Sequence, residues 1–376
     1  MTKITIHGFY GFGNLGDEAI LKAILQEFMK TPNIQLVVFS KTPKQTAKKY
    51  GIKSVNSKIR KGLLRIIWEI KTSNLFILGG GGLLKDYGKS SSNLKHTLKL
   101  LRLAQKLNVK TALLAVGVEN IRYKDSKKLL SDILNKVDLI TVRDCNSKQI
   151  LIDIKITNKI KVVTDPSVLL ANINISKIKD ISKPPKVIIC IRHWFDKGFF
   201  IENPEINDNF IRSVSLAADY LIEHYNAKIE FIPMRITSYD DDRIVAQQVV
   251  SYMKHKEGAH IHSYAPEVDE FIEILQQSSL VIGMRLHSLI IGTSVGVPVI
   301  GLEYMPKVRA YMDSISQGGY SLDLETITSE KLIRIIEKTF NKYKNRSQII
   351  ASEVYRLQKI ARDNITELVK LSGIKQ

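Results

Sequence analysis

The stretch "ITIHGFYGFGNLGDEAIL", residues 4–21, decides how the fold of this chain is read. Its β-branched opening, Ile4-Thr5-Ile6, reads as a strand. Gly11, Gly13 and Gly16 spell a G-x-G-x-x-G turn, and Ala19, Ile20, Ile24, Leu25 and Phe28 then recur at helical spacing. Strand, glycine turn and helix in that order open a doubly wound α/β domain, whose first helix can turn backbone N–H groups toward an anion. The same fingerprint serves dinucleotides, but two features count against that use. A dinucleotide site needs an acidic residue near the end of the second strand to hold a ribose, and "IQLVVFSKTPK" (34–44) ends its strand at Ser40 and Lys41. Asp17 and Glu18, directly after the last glycine, would also repel a pyrophosphate at that helix start.

The alternation continues along the chain. Strands are expected at 3–8, 34–39, 74–78, 110–115, 138–142 and 160–163, with helical stretches at 17–30, 59–72, 92–107 and 125–136. The polar "ANINISKIKDISKPPK" (171–186) reads as an interdomain linker. A second alternation follows, with strands at 187–192, 228–233, 279–282 and 297–301 and helices near 206–225, 240–255, 266–277 and 328–343, before a last amphipathic helix from about 347 to 371. The expected organisation is therefore a Rossmann-like domain over 1–172, a second over 187–345, and a C-terminal helix over 346–376. Two doubly wound domains facing a central cleft is a GT-B-like architecture, with ligands at the carboxyl ends of the strands. Fold alone says little about chemistry.

With 376 residues and 44% hydrophobic composition, the chain can bury two cores. A charged Met-Thr-Lys start running straight into a strand leads us to expect no signal peptide, and the apolar runs are too short to span a bilayer. Cys145 and Cys190 lack metal or disulfide spacing, so a cytoplasmic protein without structural zinc is expected. The formal net charge of +19 has two readings. It can reflect an anionic partner, or a general abundance of Lys. "KHTLKLLRLAQKLNVK" (95–110) gathers cations on one helix, which is either a solvated face or a surface for anionic lipid. No zinc pattern, helix-turn-helix or aromatic interleaving points to nucleic acid.

Several segments carry possible chemistry. "NLFILGGGGLLKDYG" (74–88) ends a buried strand in Gly79–Gly82, which implies a close approach to the backbone by a ligand or by the sheet's own packing, with Lys85 and Asp86 next in line. "VDLITVRDCNS" (137–147) puts Arg143 at a strand end, to pair with a carboxylate or to grip an anionic ligand, and gives Asp144 as a helix cap. "SSLVIGMRLHSLIIGTSVGVPVIGLEYMPKV" (278–308) brings a buried strand to Arg285, His287 and Ser288 in the first turns of a helix, with Lys307 downstream. A histidine there can act as general acid or base, or can be a hydrogen-bonded structural residue. Arg192, His193 and Trp194 end one strand of the second domain and Pro233, Met234 and Arg235 another. Trp194 either stacks on a sugar or plugs a core. Asp240–Asp242 read as a helix start. His255, His260 and His262 lack helical metal spacing, and there is no G-x-S-x-G elbow and no P-loop.

Taken together, "GFYGFGNLGDEAIL", "LGGGGLLKD", "TVRDCNS", "TDPSVLL", "FIPM" with its downstream acidic run, and "GMRLHSLI" resemble the polysaccharide pyruvyl transferase family, in matching order from Gly8 to about Lys307. The likeness is to the bacterial branch acting on secondary cell-wall or S-layer-anchoring polymers. It implies a GT-B-like fold and transfer of a carboxyethylidene group from phosphoenolpyruvate to a sugar, with phosphoenolpyruvate as co-substrate and no further cofactor. By the same resemblance His287 and Arg143 are the expected catalytic residues, and Arg143, Arg285, Lys307 and Ser288 the donor-binding ones, with Arg285 either a further phosphate contact or only holding the motif by a salt bridge. Gly11, Gly13, Gly16, Gly80 and Gly81 shape the cleft. A lipid-linked acceptor would give the basic helix a role at the inner face of the membrane. Two rivals stand beside this reading. One is a nucleotide-sugar glycosyltransferase of the same fold, against which Glu303 stands alone where such enzymes carry paired glutamates. The other is a non-catalytic polymer-binding module.

Overall fold

The computed structural model describes residues 1–58, 62–86, 92–119, 121–171, 173, 181, 183–195 and 202–374. The chain divides into two compact units, Met1–Val168 with Leu357–Gln376, and Leu169–Arg356. The proposed linker at 171–186 lies largely outside the described residues, as do parts of 59–72 and 74–88.

In the first unit the strands are β1 (Thr2–His7), β2 (Ile34–Ser40), β3 (Lys53–Asn56), β4 (Leu75–Lys85), β5 (Lys110–Glu119), β6 (Leu139–Val142) and β7 (Ile160–Val162), and they stand in the order β3-β2-β1-β4-β5-β6-β7. Every pairing is parallel. A parallel sheet is covered on both faces, so its central strands read as nearly unbroken apolar runs. Ile4, Thr5 and Ile6 of β1 and Leu75–Leu78 of β4 are all fully buried. The strand order reverses between β1 and β4, where the two glycine segments end their strands.

The second unit repeats the plan. Its strands are β8 (Lys186–Cys190), β9 (Lys228–Phe231), β10 (Ile236–Thr237), β11 (Asp240–Asp241), β12 (Ala259–Ile261), β13 (Leu280–Gly283), β14 (Val299–Glu303) and β15 (Ser321–Asp323). Six form a parallel sheet in the order β12-β9-β8-β13-β14-β15, while β10 and β11 make a small antiparallel hairpin. The reversal falls between β8 and β13. Binding sites of open α/β sheets lie outside the strand ends at such a point, and here those ends are Cys190–His193 and Gly283–His287.

Caps fix the helices that begin at the ends of the first sheet's strands. Asn14 accepts from the Gly16 N–H (3.0 Å) at the start of the helix Leu15–Phe28, and Asp144 accepts from the Ser147 N–H (2.7 Å) at the start of Cys145–Asp153. The last helix, Tyr343–Leu371, is continuous, and from Leu357 onward it belongs to the first unit. Ile365, Leu368 and Val369 join Ile4, Leu21, Ile24 and Phe28 in one core cluster. The sequence reading of this helix as a separate final element did not anticipate that return.

Candidate functional site

The first glycine turn is shaped by its own chain. The Gly11 N–H donates to Glu18 Oε1 (2.7 Å), and Tyr50 donates its hydroxyl proton to Glu18 Oε2 (3.2 Å). A carboxylate of this protein therefore occupies one loop donor that a phosphate would use in a dinucleotide site. Gly11 has φ +75, and a Cβ there would meet Ser40 Oγ at 2.3 Å. At the end of β4, a Cβ on Gly80 (φ +56) would meet Ile20 Cγ2 at 2.2 Å, and one on Gly81 (φ +79) would meet Asp17 Oδ1 at 3.1 Å. What approaches Gly80 and Gly81 closely is thus the helix Leu15–Phe28. Gly13 differs: it is exposed, with φ +70, and a Cβ there would meet nothing within 4 Å. Gly16 is buried in the first turn of the helix, with its N–H held by Asn14. Asp86 is buried, and its carboxylate accepts from the Arg122 N–H (2.7 Å) and the Tyr123 N–H (3.3 Å).

Arg143 follows β6 and lies among three carboxylates: Asp144 (3.4 Å from Nε), Glu119 at the end of β5 (3.8 Å from Nη2) and Asp165 beyond β7 (3.8 Å from Nη1). Burial works against its charge, but Asp144, Asp165 and Glu119 outweigh it and hold the guanidinium above the usual arginine value. Of the two parts the sequence left open for Arg143, pairing with carboxylates is the one these contacts display. A Cβ on Gly117 would come within 2.8 Å of Nη2, so Gly117 makes room for the guanidinium over the sheet backbone. Gly117, Glu119 and Asp165 were not singled out in sequence. The only signal for Asp165 was its place in "TDPSVLL".

In the second unit the strand ends assemble a cationic cluster. Arg285 donates from Nε to Asp242 Oδ2 (3.0 Å), from Nη2 to Asp242 Oδ1, and from Nη2 to Asp240 Oδ1 (3.1 Å). Asp240 Oδ2 also accepts from Arg192 Nη2 (3.3 Å) and Arg235 Nη1 (3.2 Å), while Asp242 Oδ2 accepts the Met234 and Arg235 N–H groups. Burial opposes the charge on Arg285, yet Asp242 and Asp240 raise its pKa well beyond the ordinary value. Asp240 is pushed up by burial and down by Arg285, Arg192 and Arg235, ending below the usual carboxylate range. Asp241 is the member of the run that caps a helix, accepting from the Arg243 N–H (3.0 Å) at the start of Asp242–Tyr252. Its neighbours Asp240 and Asp242 instead form the clasp, which the sequence reading missed.

This arrangement redistributes the expected roles. Arg285 is locked between two aspartates as a structural clasp. Ser288, expected as a donor contact, is fully buried and donates its hydroxyl proton to the Arg285 carbonyl (2.6 Å), holding the turn. Cys190 is buried beside it, and burial pushes its thiol pKa up. His287 is half-buried in the first turn of the helix Leu286–Ser294. Lys307 is half-buried with Nζ 5.2 Å from the centre of the Tyr304 ring, and the Arg192 guanidinium lies 5.6 Å from the same ring. Trp194 packs edge-on against Tyr304 (centroids 4.7 Å) at 6% exposure, so it is a core side chain. His193 is buried, and burial, with Arg192 and Arg285 adding to it, holds its pKa below the usual imidazole value against the pull of Asp242 and Asp240. Arg192, Arg235 and Arg285 thus converge on Asp240 and Asp242, with Lys307 beside Tyr304. Among the described residues no group of three His, Cys, Asp or Glu side chains is arranged to hold a metal ion.

Two doubly wound units built on the same strand order, each with its candidate site residues beyond the strand ends, define a GT-B fold. Solved structures of that fold are similar over the whole chain. A UDP-GlcNAc 2-epimerase from Neisseria meningitidis bound to UDP-GlcNAc has a TM-score of 0.63 at 12% identity, covering 98% of this chain and 100% of its own. A glycosyltransferase from Rickettsia africae ESF-5 has a TM-score of 0.64 at 14% identity, covering 100% of both chains. At these identities the likeness concerns the fold alone. The model of the polysaccharide pyruvyl transferase family matches residues 14–305, and the chain belongs to that family. A curated relative, the amylovoran biosynthesis protein AmsJ of Erwinia amylovora, is 28% identical over 144 residues, 37% of this chain. The match spans about a third (34%) of that relative's length.

Proposed function

We propose that this protein transfers a carboxyethylidene group from phosphoenolpyruvate to a sugar of a cell-surface polysaccharide or of its lipid-linked precursor. In that reaction the methylene carbon of the donor takes up a proton and becomes the ketal methyl. The bond from C2 to the phosphate oxygen breaks, and two sugar oxygens bond to C2. Of the two hydroxyl protons, one balances the new methyl and the other leaves with inorganic phosphate. The donor is small and strongly anionic. The convergence of Arg192, Arg235, Arg285 and Lys307 beyond the strand ends of the second unit is the observation that carries this reading beyond the family match. Lys307 would hold the phosphate or carboxylate, and His287 would deliver the proton to the methylene carbon.

Arg143 takes a different part in this proposal from the one the resemblance implied. Its contacts at 3.8 Å to Glu119 and Asp165 would orient those carboxylates to accept from sugar hydroxyls. The nucleotide-sugar alternative loses support at Glu303, whose Oε1 already accepts from Arg309 Nη1 (2.9 Å) and from the Ser321 hydroxyl.

The test is phosphate release from phosphoenolpyruvate by the purified protein, offered a panel of lipid-linked and synthetic amino-sugar disaccharides, with His287→Ala in parallel. Acceptor-dependent release that falls by about a hundredfold or more in the variant supports pyruvyl transfer with His287 in the chemistry. Absence of release with every acceptor, together with hydrolysis of a UDP-sugar, hands the protein to the glycosyltransferase reading.

A further inference from the structure

The helices Leu63–Lys71 and Ser92–Lys106 pack beside one another on one face of the first sheet. On the second, Leu94, Leu98, Leu101 and Ala104 are fully buried against the sheet. Its opposite side carries exposed Lys95, Lys99, Arg102 and Lys106, which fall at i, i+4, i+7 and i+11 and so form one line along the helix. That helix contains no acidic residue.

The neighbouring helix presents the opposite of what a solvated helix should show. Ile66 and Ile70 supply its buried side, yet its outward side is also apolar: Leu64 is 84% exposed, Trp68, one turn on, is 62% exposed, and Leu63 is 47% exposed. Arg65 and Lys71 flank them in the exposed set. The one carboxylate of this helix, Glu69, is buried and paired with Lys3 and Lys53. Single exposed apolar residues on a surface are ordinary, but three on two helical turns, bordered by six exposed cations and with no exposed carboxylate on either helix, are not.

We infer that this face docks on the interfacial layer of an anionic lipid bilayer. Leu63, Leu64 and Trp68 enter the boundary between headgroups and acyl chains, where the amphipathic indole is at home. Lys95, Lys99, Arg102 and Lys106, with Arg65 and Lys71, meet the phosphates. A nucleic acid or an acidic protein would match the cations but would leave Leu64 and Trp68 without a place to go, so the apolar pair selects lipid. The inference stands on this surface alone and is independent of the reaction proposed above.

The chain has two tryptophans, and the other, Trp194, is buried, so Trp68 reports directly on docking. Full-length protein would be mixed with vesicles of phosphatidylcholine alone or of phosphatidylcholine with phosphatidylglycerol, and followed by co-sedimentation and by tryptophan emission. Binding to the anionic vesicles only, with a blue shift that disappears in Trp68→Phe, is the expected result. Lys95→Gln/Lys99→Gln/Arg102→Gln should weaken partitioning by about a hundredfold, and Leu64→Ser/Trp68→Ser by about tenfold. All five positions are exposed, so the variants should keep the wild-type melting temperature. Unchanged emission on mixing would overturn the inference. So would binding that the Leu64→Ser/Trp68→Ser variant retains in full, since that would be capture by net charge alone.

Discussion

Arg285 grips Asp242 through two nitrogens, Nε on one carboxylate oxygen at 3.0 Å and Nη2 on the other, although 43 residues separate them in sequence. Both side chains are buried, so neither charge can be left behind without the other. Arg285→Ala should therefore lose about 3–5 kcal/mol of stability in urea unfolding, where a residue that only touched substrate would lose none. The clasp is also acid-sensitive through Asp240. Its folded pKa lies below the unfolded carboxylate value of 3.8, so its contribution is fully present above that value and is lost as pH falls through the folded one. Asp240→Asn should be less stable than wild type at pH 7, with the gap closing under strong acid.

Arg143 gives the complementary case, a buried guanidinium with three carboxylates at 3.4–3.8 Å. Replacing it by Gln should destabilise the first unit by about 3–5 kcal/mol at pH 7, because buried carboxylates then lose a cation partner. Arg143→Lys restores the charge without the planar fork and should recover part of the stability. Thermal unfolding of the three proteins at pH 7 separates this role from simple contact with an anionic donor, which predicts a raised KM at unchanged stability.

How far the sequence reveals this molecule depends on where an interaction lies along the chain. The central strands β1, β4, β8 and β13 were legible because burial on both faces demands unbroken apolar runs, as in Leu75–Leu78. The edge strands β3, β12 and β15 were not, since they are short and only partly buried. The helix Pro306–Ser314 was overlooked too, although Pro306 at its first turn is a start signal. His287 and Lys307 stood out by their positions after strand ends. The partners of Arg285 were not, because "DDD" has a sufficient local explanation as a helix start and nothing local says that two of its members turn inward. Four consecutive glycines announced a close approach, but the approaching group, Ile20 of the first helix, is visible only once the chain is folded.

His7, at the carboxyl end of β1, is 4% exposed, and its pKa is lowered to about 3 by burial, with His96 adding to the effect. The imidazole is therefore neutral in the folded protein while its unfolded counterpart protonates near 6.5. A depressed folded pKa contributes stability above the unfolded value that is lost as pH falls from there toward the folded one. Between pH 7.5 and pH 5 this single group should remove about 2 kcal/mol. His7→Leu should abolish that part of the acid sensitivity, so the difference in unfolding free energy between variant and wild type should shift by about that amount over the same interval.

Gly80 and Gly13 both sit at positive φ, yet they should respond differently to alanine. At Gly80 the new Cβ would lie 2.2 Å from Ile20 Cγ2, so the first helix must move off the sheet, and a loss above about 2 kcal/mol is expected from strain and overpacking. At Gly13 there is open space, and only the left-handed backbone resists, at roughly 1 kcal/mol. Unfolding curves for the two variants measure that contrast. Activity measured beside them then decides what the exposed turn is for. If Gly13→Ala keeps its fold and loses acceptor-dependent phosphate release, substrate comes close to the backbone at Gly13. If release is unchanged, Gly13 only lets the chain turn before the Asn14 cap, and the turn's other glycines serve the packing of the first helix.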